Sequence, residues 1–195
     1  AEFLERLARA FQLSPAERGH LFTLAQHRPP PHVPPQAVVV SERVRAVLAS
    51  LPGPAYVKTT RWDIVAWNEA AIDALGDFAA LTEEGRNILR LVFSTPELRA
   101  RMADWEGDAR RTLEKFRLDY ARADGDPGFE ALVSELKQTS AEFARWWPGQ
   151  EVRAVGEGVK RLNHPTRGRV EYEHATFAIE GSPDLRMVVY VTGAA

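Results

Sequence analysis

Residues 51–68, LPGPAYVKTTRWDIVAWN, constrain the fold more than any other stretch of the chain. Pro52-Gly53-Pro54 is turn-prone, Ala55-Tyr56-Val57 is a short apolar run, Thr59-Thr60-Arg61 is a polar corner, and Asp63 to Trp67 form a second run. Aromatic and β-branched enrichment on both sides of a polar separator predicts two short strands joined as a hairpin. Asn68 stands where it can stop the second strand and cap a helix over Glu69–Leu75. Strand, turn, strand and capped helix within about 25 residues make the opening of a small α+β sensory domain.

The segments before this hairpin read as helices. Residues 2–11 place Phe3, Leu7 and Phe11 on one line beside Leu4, an amphipathic pattern. Ser14, Pro15 and Glu17 form a capping box with proline at the first helical position, and the helix they start carries Leu21, Phe22, Leu24 and Ala25 to about His27. Residues 28–37, RPPPHVPPQA, hold five prolines and predict a stiff extended connector. The expected division is therefore a helical unit at 1–27, a proline-rich connector at 28–40 and a sensory domain at 41–195. A helix from Ser41 to Leu51, capped by Ser41 and packed through Val44, Val47, Leu48 and Leu51, leads into the hairpin.

Beyond the hairpin the period is first helical, then alternating. Residues 76–86 read as loop with short helical turns, and Asn87–Phe93 as an apolar run. Thr95 and Pro96 start a long helix to about Arg122, with Leu98, Met102, Trp105, Ala109, Leu113, Phe116 and Tyr120 on one stripe. Asp126-Pro127 opens a helix through Leu136, and Ser140 caps a short one holding Phe143, Trp146 and Trp147. Val152–Leu162, Gly168–Ile179 and Leu185–Thr192 then read as strands, separated by turns at Asn163-His164-Pro165 and Gly181-Ser182-Pro183. The fold class is α+β: a five-stranded antiparallel sheet with a long helical insertion between strands two and three, preceded by helices.

Composition narrows function by exclusion. A net charge of −2 gives no global basic field for nucleic acid. The absence of cysteine removes disulfides and thiolate metal sites, and no apolar run reaches the roughly 18 residues of a membrane span. A cytoplasmic location without membrane partners is expected. His20, His27, His32, His164 and His174 show no metal-ligand spacing, and no local nucleophile motif is present. Neither an enzyme nor a metal cofactor is therefore expected.

The stronger signal is aromatic and apolar. Tyr56, Ile64, Trp67, Phe93, Met102, Trp105, Phe116, Trp146, Trp147 and Phe177 are candidates to line a cavity between sheet and helical insertion, with Trp62 beside them, and an apolar ligand would be held there by losing its contact with water. Packing into the core is the alternative for each. Asn68 and His164 join the candidate list as polar contacts; for Asn68 the alternative is helix capping, and for His164 a place in a turn. Arg90 is expected either to balance a buried acid such as Asp104 or to form a surface ion pair.

Ordered motifs add a resemblance. LSPAERGHLFTLA at 13–25, YVKTTRWDIVAWNEAA at 56–71, NILRLVF at 87–93, Asp104-Trp105, EFARWW at 142–147, VKRLNHPTRGRVEYEH at 159–174 and MVVYVT at 187–192 together resemble the MmyB-like transcription-regulator ligand-binding domain. The resemblance implies a PAS-like fold behind a helix-turn-helix module upstream of Ala1, so that DNA is contacted only through that module. It also implies an apolar ligand resembling a fatty acid. A homodimer is expected, for which Leu4, Leu7, Phe11, Leu21 and Phe22 are a candidate seam; such a dimer would set paired DNA-binding helices over palindromic half-sites.

Overall fold

A computed structural model describes residues 2–26, 39–149, 151 and 157–192. The proline-rich stretch at 28–37 and the strand start expected at Val152 lie outside the described residues. The chain divides into two compact units, residues 1–37 and 38–195.

The first unit contains α1 (Glu2–Ala10) and α2 (Pro15–Gln26). The capping box forms as the residue types require: the Ser14 backbone N–H donates to Glu17 Oε2 at 2.8 Å, and the Glu17 N–H donates to Ser14 Oγ at 3.3 Å. Leu4, Ala8 and Phe22 are buried, whereas Phe3 and Phe11 are 73% and 68% exposed. The expected line of Phe3, Leu7 and Phe11 is thus not the packed side of α1, and Leu4 and Phe22 are not available as an open seam.

The second unit opens with α3 (Glu42–Ser50), capped by Ser41 Oγ accepting from the Val44 N–H. Leu48 is its buried contact, and Val47, expected to pack, is half exposed. The sheet consists of β1 (Ala55–Thr59), β2 (Ile64–Trp67), β3 (Gly158–His164), β4 (Gly168–Ile179) and β5 (Ser182–Thr192), in the order β2-β1-β5-β4-β3. Every neighbouring pair is antiparallel. The last two turns sit slightly later or earlier than expected: Asn163 and His164 end β3, and Ser182 already begins β5.

Among the described residues, six α-helices lie between β2 and β3: α4 (Glu69–Leu75), α5 (Ile88–Ser94), α6 (Pro96–Arg101), α7 (Trp105–Arg122), α8 (Pro127–Thr139) and α9 (Ala141–Trp146). The helix expected to run unbroken from Pro96 to Arg122 is two. Met102 bridges to Leu162, and the Ala103 N–H donates to Arg161 O at 3.0 Å. Those peptide groups are thus drawn out of helical pairing to β3, and Asp104 restarts the helix by accepting from the Gly107 N–H.

Alternation along the strands separates two cores. Ala55 and Val57 of β1, with Ala66, Leu185 and Met187, pack with α3 through Leu48. Tyr56, Ile64, Leu162, Tyr172, Val188 and Tyr190 point the other way, into the larger core shared with the inserted helices.

Candidate functional site

The inner face of the sheet carries a line of polar side chains within this otherwise apolar layer. His174 of β4 is paired in register with Tyr190 of β5, their rings 5.3 Å apart. The Tyr190 hydroxyl lies 3.5 Å from that of Tyr56 on β1. Lys160 of β3 is opposite Tyr172 and one diagonal step from His174 on the same face. Lys160, His174, Tyr190 and Tyr56 therefore cross β3, β4, β5 and β1 in turn. Helix α7 turns Asp108, Lys115 and Asp119 toward this face, positions separated by whole turns.

Burial dominates the electrostatics of the line. Lys58, 3% exposed, places its ammonium 3.3 Å from the centre of the Trp62 ring. Desolvation pulls its pKa down to about 7, opposed by Asp119 and reinforced by Arg186 and Lys115. The Lys160 ammonium is lowered by the same cause, with Asp108 opposing. His174 falls to about 4, first through burial and then through Lys115 and Lys160, so its imidazole is neutral at pH 7. Burial pushes Tyr190 up to about 12 and Tyr56 well above the ordinary phenol range.

The two carboxylates of this layer are already engaged. Asp108, its nearest carboxylate, already accepts from Arg111 at 2.6 Å. Asp119 accepts from the Trp62 indole at 2.8 Å. Among the described residues the buried Nδ1 of His174 has no hydrogen-bond partner. Polar groups removed from water without partners cost on the order of 1–3 kcal/mol each.

A cleft of about 310 Å³ opens at one end of the sheet and includes both Tyr172 and Tyr190 in its wall. Pro52, Gly53 and Pro54 form one side, Ala70 and Asp73 of α4 another, and Arg167 stands at the rim in an ion pair with Asp73. The volume lies at the small end for a ligand site. Gly53 is required by its neighbours, since a Cβ there would lie 2.3 Å from Tyr190 O. A second cleft of about 350 Å³ lies beside α7 and α9 and mixes Arg110, Arg117 and Arg145 with Glu114 and Glu151.

The expected site residues divide into distinct environments. Tyr56, Ile64, Phe93, Met102, Trp105, Phe116 and Trp146 are buried in one core, with Trp67 and Trp147 packed partly buried against it. Most are engaged with one another: Phe93 meets Phe143 edge-on at 5.1 Å, and Phe116 stacks on Phe129 at 5.7 Å. Trp105 is fixed by its indole N–H donating to Val92 O at 2.8 Å. Tyr56 and Trp67 are register partners and share a face. Trp62 holds a left-handed backbone (φ 71°), a conformation that non-glycine residues keep only where surroundings impose it; its bond to Asp119, its edge contact with Phe116 and the Lys58 ammonium do so here.

For Asn68, His164 and Arg90 the geometry selects one of the expected alternatives, the cap, the turn and the surface ion pair, whereas Phe177 fits neither cavity wall nor core. Asn68 spends all its hydrogen-bonding capacity internally: Oδ1 accepts from the Ala55 and Ala71 N–H groups, and Nδ2 donates to Leu51 O and Gly53 O. It has none left for a ligand. His164 Nδ1 accepts from the Thr166 and Arg167 N–H groups while Nε2 donates to Asp73 O at 3.1 Å, tying the β3–β4 turn to α4. Phe177 is 54% exposed on the face opposite the inserted helices, in register with Met187. Arg90 forms a two-pronged pair with Glu135, not with Asp104.

Lys58, Lys160, Tyr172, His174 and Tyr190 were absent from the expected set. The signal available was period two: Lys160 shares a face with Leu162, and Tyr172 with Val170 and His174, on strands whose other face is wet. Among the described residues no group of three histidine or acidic side chains is placed to hold a metal ion, and no helix is long and apolar enough to cross a membrane.

Residues 40–195 match the family described as MmyB-like transcription regulator ligand binding domain. Among solved structures, the chain is similar to the PAS domain from Bordetella pertussis BvgS, at 10% identity, covering 79% of this chain and 85% of that one with a TM-score of 0.32. No curated protein matches the chain.

Proposed function

Because the chain belongs to the family of MmyB-like transcription regulator ligand binding domains, we propose that residues 39–192 form the ligand-sensing part of a helix-turn-helix regulator. The ligand is a small molecule with an apolar body, a fatty acid or a compound of similar character, held between the sheet and the inserted helices. The observation that carries this reading is the line Lys160, His174, Tyr190 and Tyr56, which sets polar groups across the apolar inner face of the sheet, with the buried Nδ1 of His174 lacking a partner among the described residues. A core built for stability alone gains nothing from such groups. An occupant that supplies acceptors, with methylenes buried for about 0.8 kcal/mol each, offsets their cost.

In this proposal occupancy alters how α7 sits over the sheet, and DNA is reached only through the regulator's own helix-turn-helix module. Regulation then requires that the ligand bind two conformations with different affinity. Native mass spectrometry of the purified chain, followed by denaturing extraction, tests occupancy. The expected spectrum carries one releasable small molecule per chain. A bare chain that stays bare in the presence of a bacterial lipid extract would refute the sensor reading.

A further inference from the structure

Helix α3 covers only part of the sheet face that points away from the inserted helices. Leu48, with Val40 before the helix, packs there with Ala55 and Val57 of β1, Ala66 of β2, and Leu185 and Met187 of β5. The strand order sets β4 and β3 beyond β5. On that side Phe177 is 54%, Val191 52% and Val159 40% exposed. These positions are contiguous: Phe177 is paired with Met187, Ala175 with Val189, and Glu173 with both Val191 and Val159. An apolar strip therefore runs from the edge of the α3 core out to β3. Glu173 stands within it, between two valines, and Arg161, one diagonal step away, is committed to Glu171 at 2.5 Å.

The same unit carries a surface that matches this strip. On α3, Val47 is 52% exposed, and Arg43, also exposed, lies one turn before it on the same flank. We infer that the bare part of this face is an interface between two copies of the chain, each laying the Arg43 and Val47 flank of its α3 on the strip of the other. Reciprocity carries the assignment. One unit supplies both an apolar strip with an acid in it and an apolar flank with a base, as a twofold contact between identical surfaces requires. Val47 then leaves water against Phe177 and Val191, and Arg43 answers Glu173. Contiguous exposed apolar groups with a polar rim are the usual mark of such a contact. It lies on the far side of the sheet from the inserted helices and does not depend on the sensor reading.

Sedimentation equilibrium of the 195-residue chain tests the interface. The wild type is expected to form a dimer of twice 21.8 kDa. Phe177→Lys should raise the dimer dissociation constant by about tenfold or more and leave the circular dichroism spectrum unchanged. Glu173→Arg and Arg43→Glu should each weaken the dimer by setting like charges face to face, and the two combined should restore it. A wild type that stays monomeric would overturn the interface, as would a dimer indifferent to Phe177→Lys. A double charge swap as weak as either single one would overturn the seating of α3 on the strip.

Discussion

Replacing Asn68 by leucine is expected to cost about 3–5 kcal/mol of unfolding free energy, the range reached when a buried polar network loses its hub. The shape is nearly preserved, so little of the effect comes from volume. Four backbone groups lose a side-chain partner at once: the N–H groups of Ala55 and Ala71, each 3.0 Å from Oδ1, and the carbonyls of Leu51 and Gly53, at 3.1 and 2.9 Å from Nδ2; of these the Ala71 N–H keeps its bond to Asn68 O. Asn68 is only 7% exposed, so water cannot replace them without opening the start of β1. Urea unfolding monitored by Trp fluorescence measures the loss. A cost below about 1 kcal/mol, the value of an ordinary exposed helix cap, would show that Asn68 acts only on α4.

Lys58→Met is expected to act in the opposite direction, with an effect that depends on pH. The folded-state pKa of Lys58 is about 7, against 10.5 for an unburied lysine. Between these values the unfolded chain holds the proton more than the folded chain does, so rising pH favours folding by up to roughly 1.4 kcal/mol per pH unit. The stability associated with the neutral amine is fully present above pH 10.5 and is lost as pH falls through about 7. Methionine fills the same space without a charge to desolvate. The variant should therefore be more stable than wild type at pH 6, by several kcal/mol on this scale, and the difference should shrink toward pH 10. Parallel stability curves from pH 6 to 10 would mean that the ammonium is solvated in the native state.

These two residues also mark what the chain's chemistry discloses in advance. Asn68 was legible as a cap because a polar residue between a β-rich run and a helical one has few other uses. The same local logic gave Ser14, Ser41 and Ser140 as caps, each of which accepts from a backbone N–H at the start of its helix. The break at Met102 was not legible, because the force that makes it is pairing with Leu162, sixty positions away. A continuous apolar stripe reads the same whether one helix or two carry it.

The site itself was legible only in outline. Aromatic side chains are frequent wherever a core is large, so their number could not separate cavity wall from packing; Phe116, for instance, is fully buried against Trp62, Phe129 and Trp147. Lys58 and Lys160 look like ordinary wet-face lysines until the register fixes which face each occupies. A shift of one residue would turn both outward. Their inward placement follows from pairings with β5 and β4 that connect positions far apart in sequence: Lys58 with Arg186, and Lys160 with Tyr172.

The central claim is that occupancy of this interior changes DNA binding. Its most direct test is the operator affinity of the complete regulator, measured by fluorescence anisotropy with and without a saturating amount of the molecule released from the purified protein. Because coupling free energies between sites are typically 1–3 kcal/mol, the account predicts that affinity shifts by about fivefold or more, in either direction. Equal affinity with the site demonstrably full would contradict it, since a ligand that binds both conformations equally moves nothing.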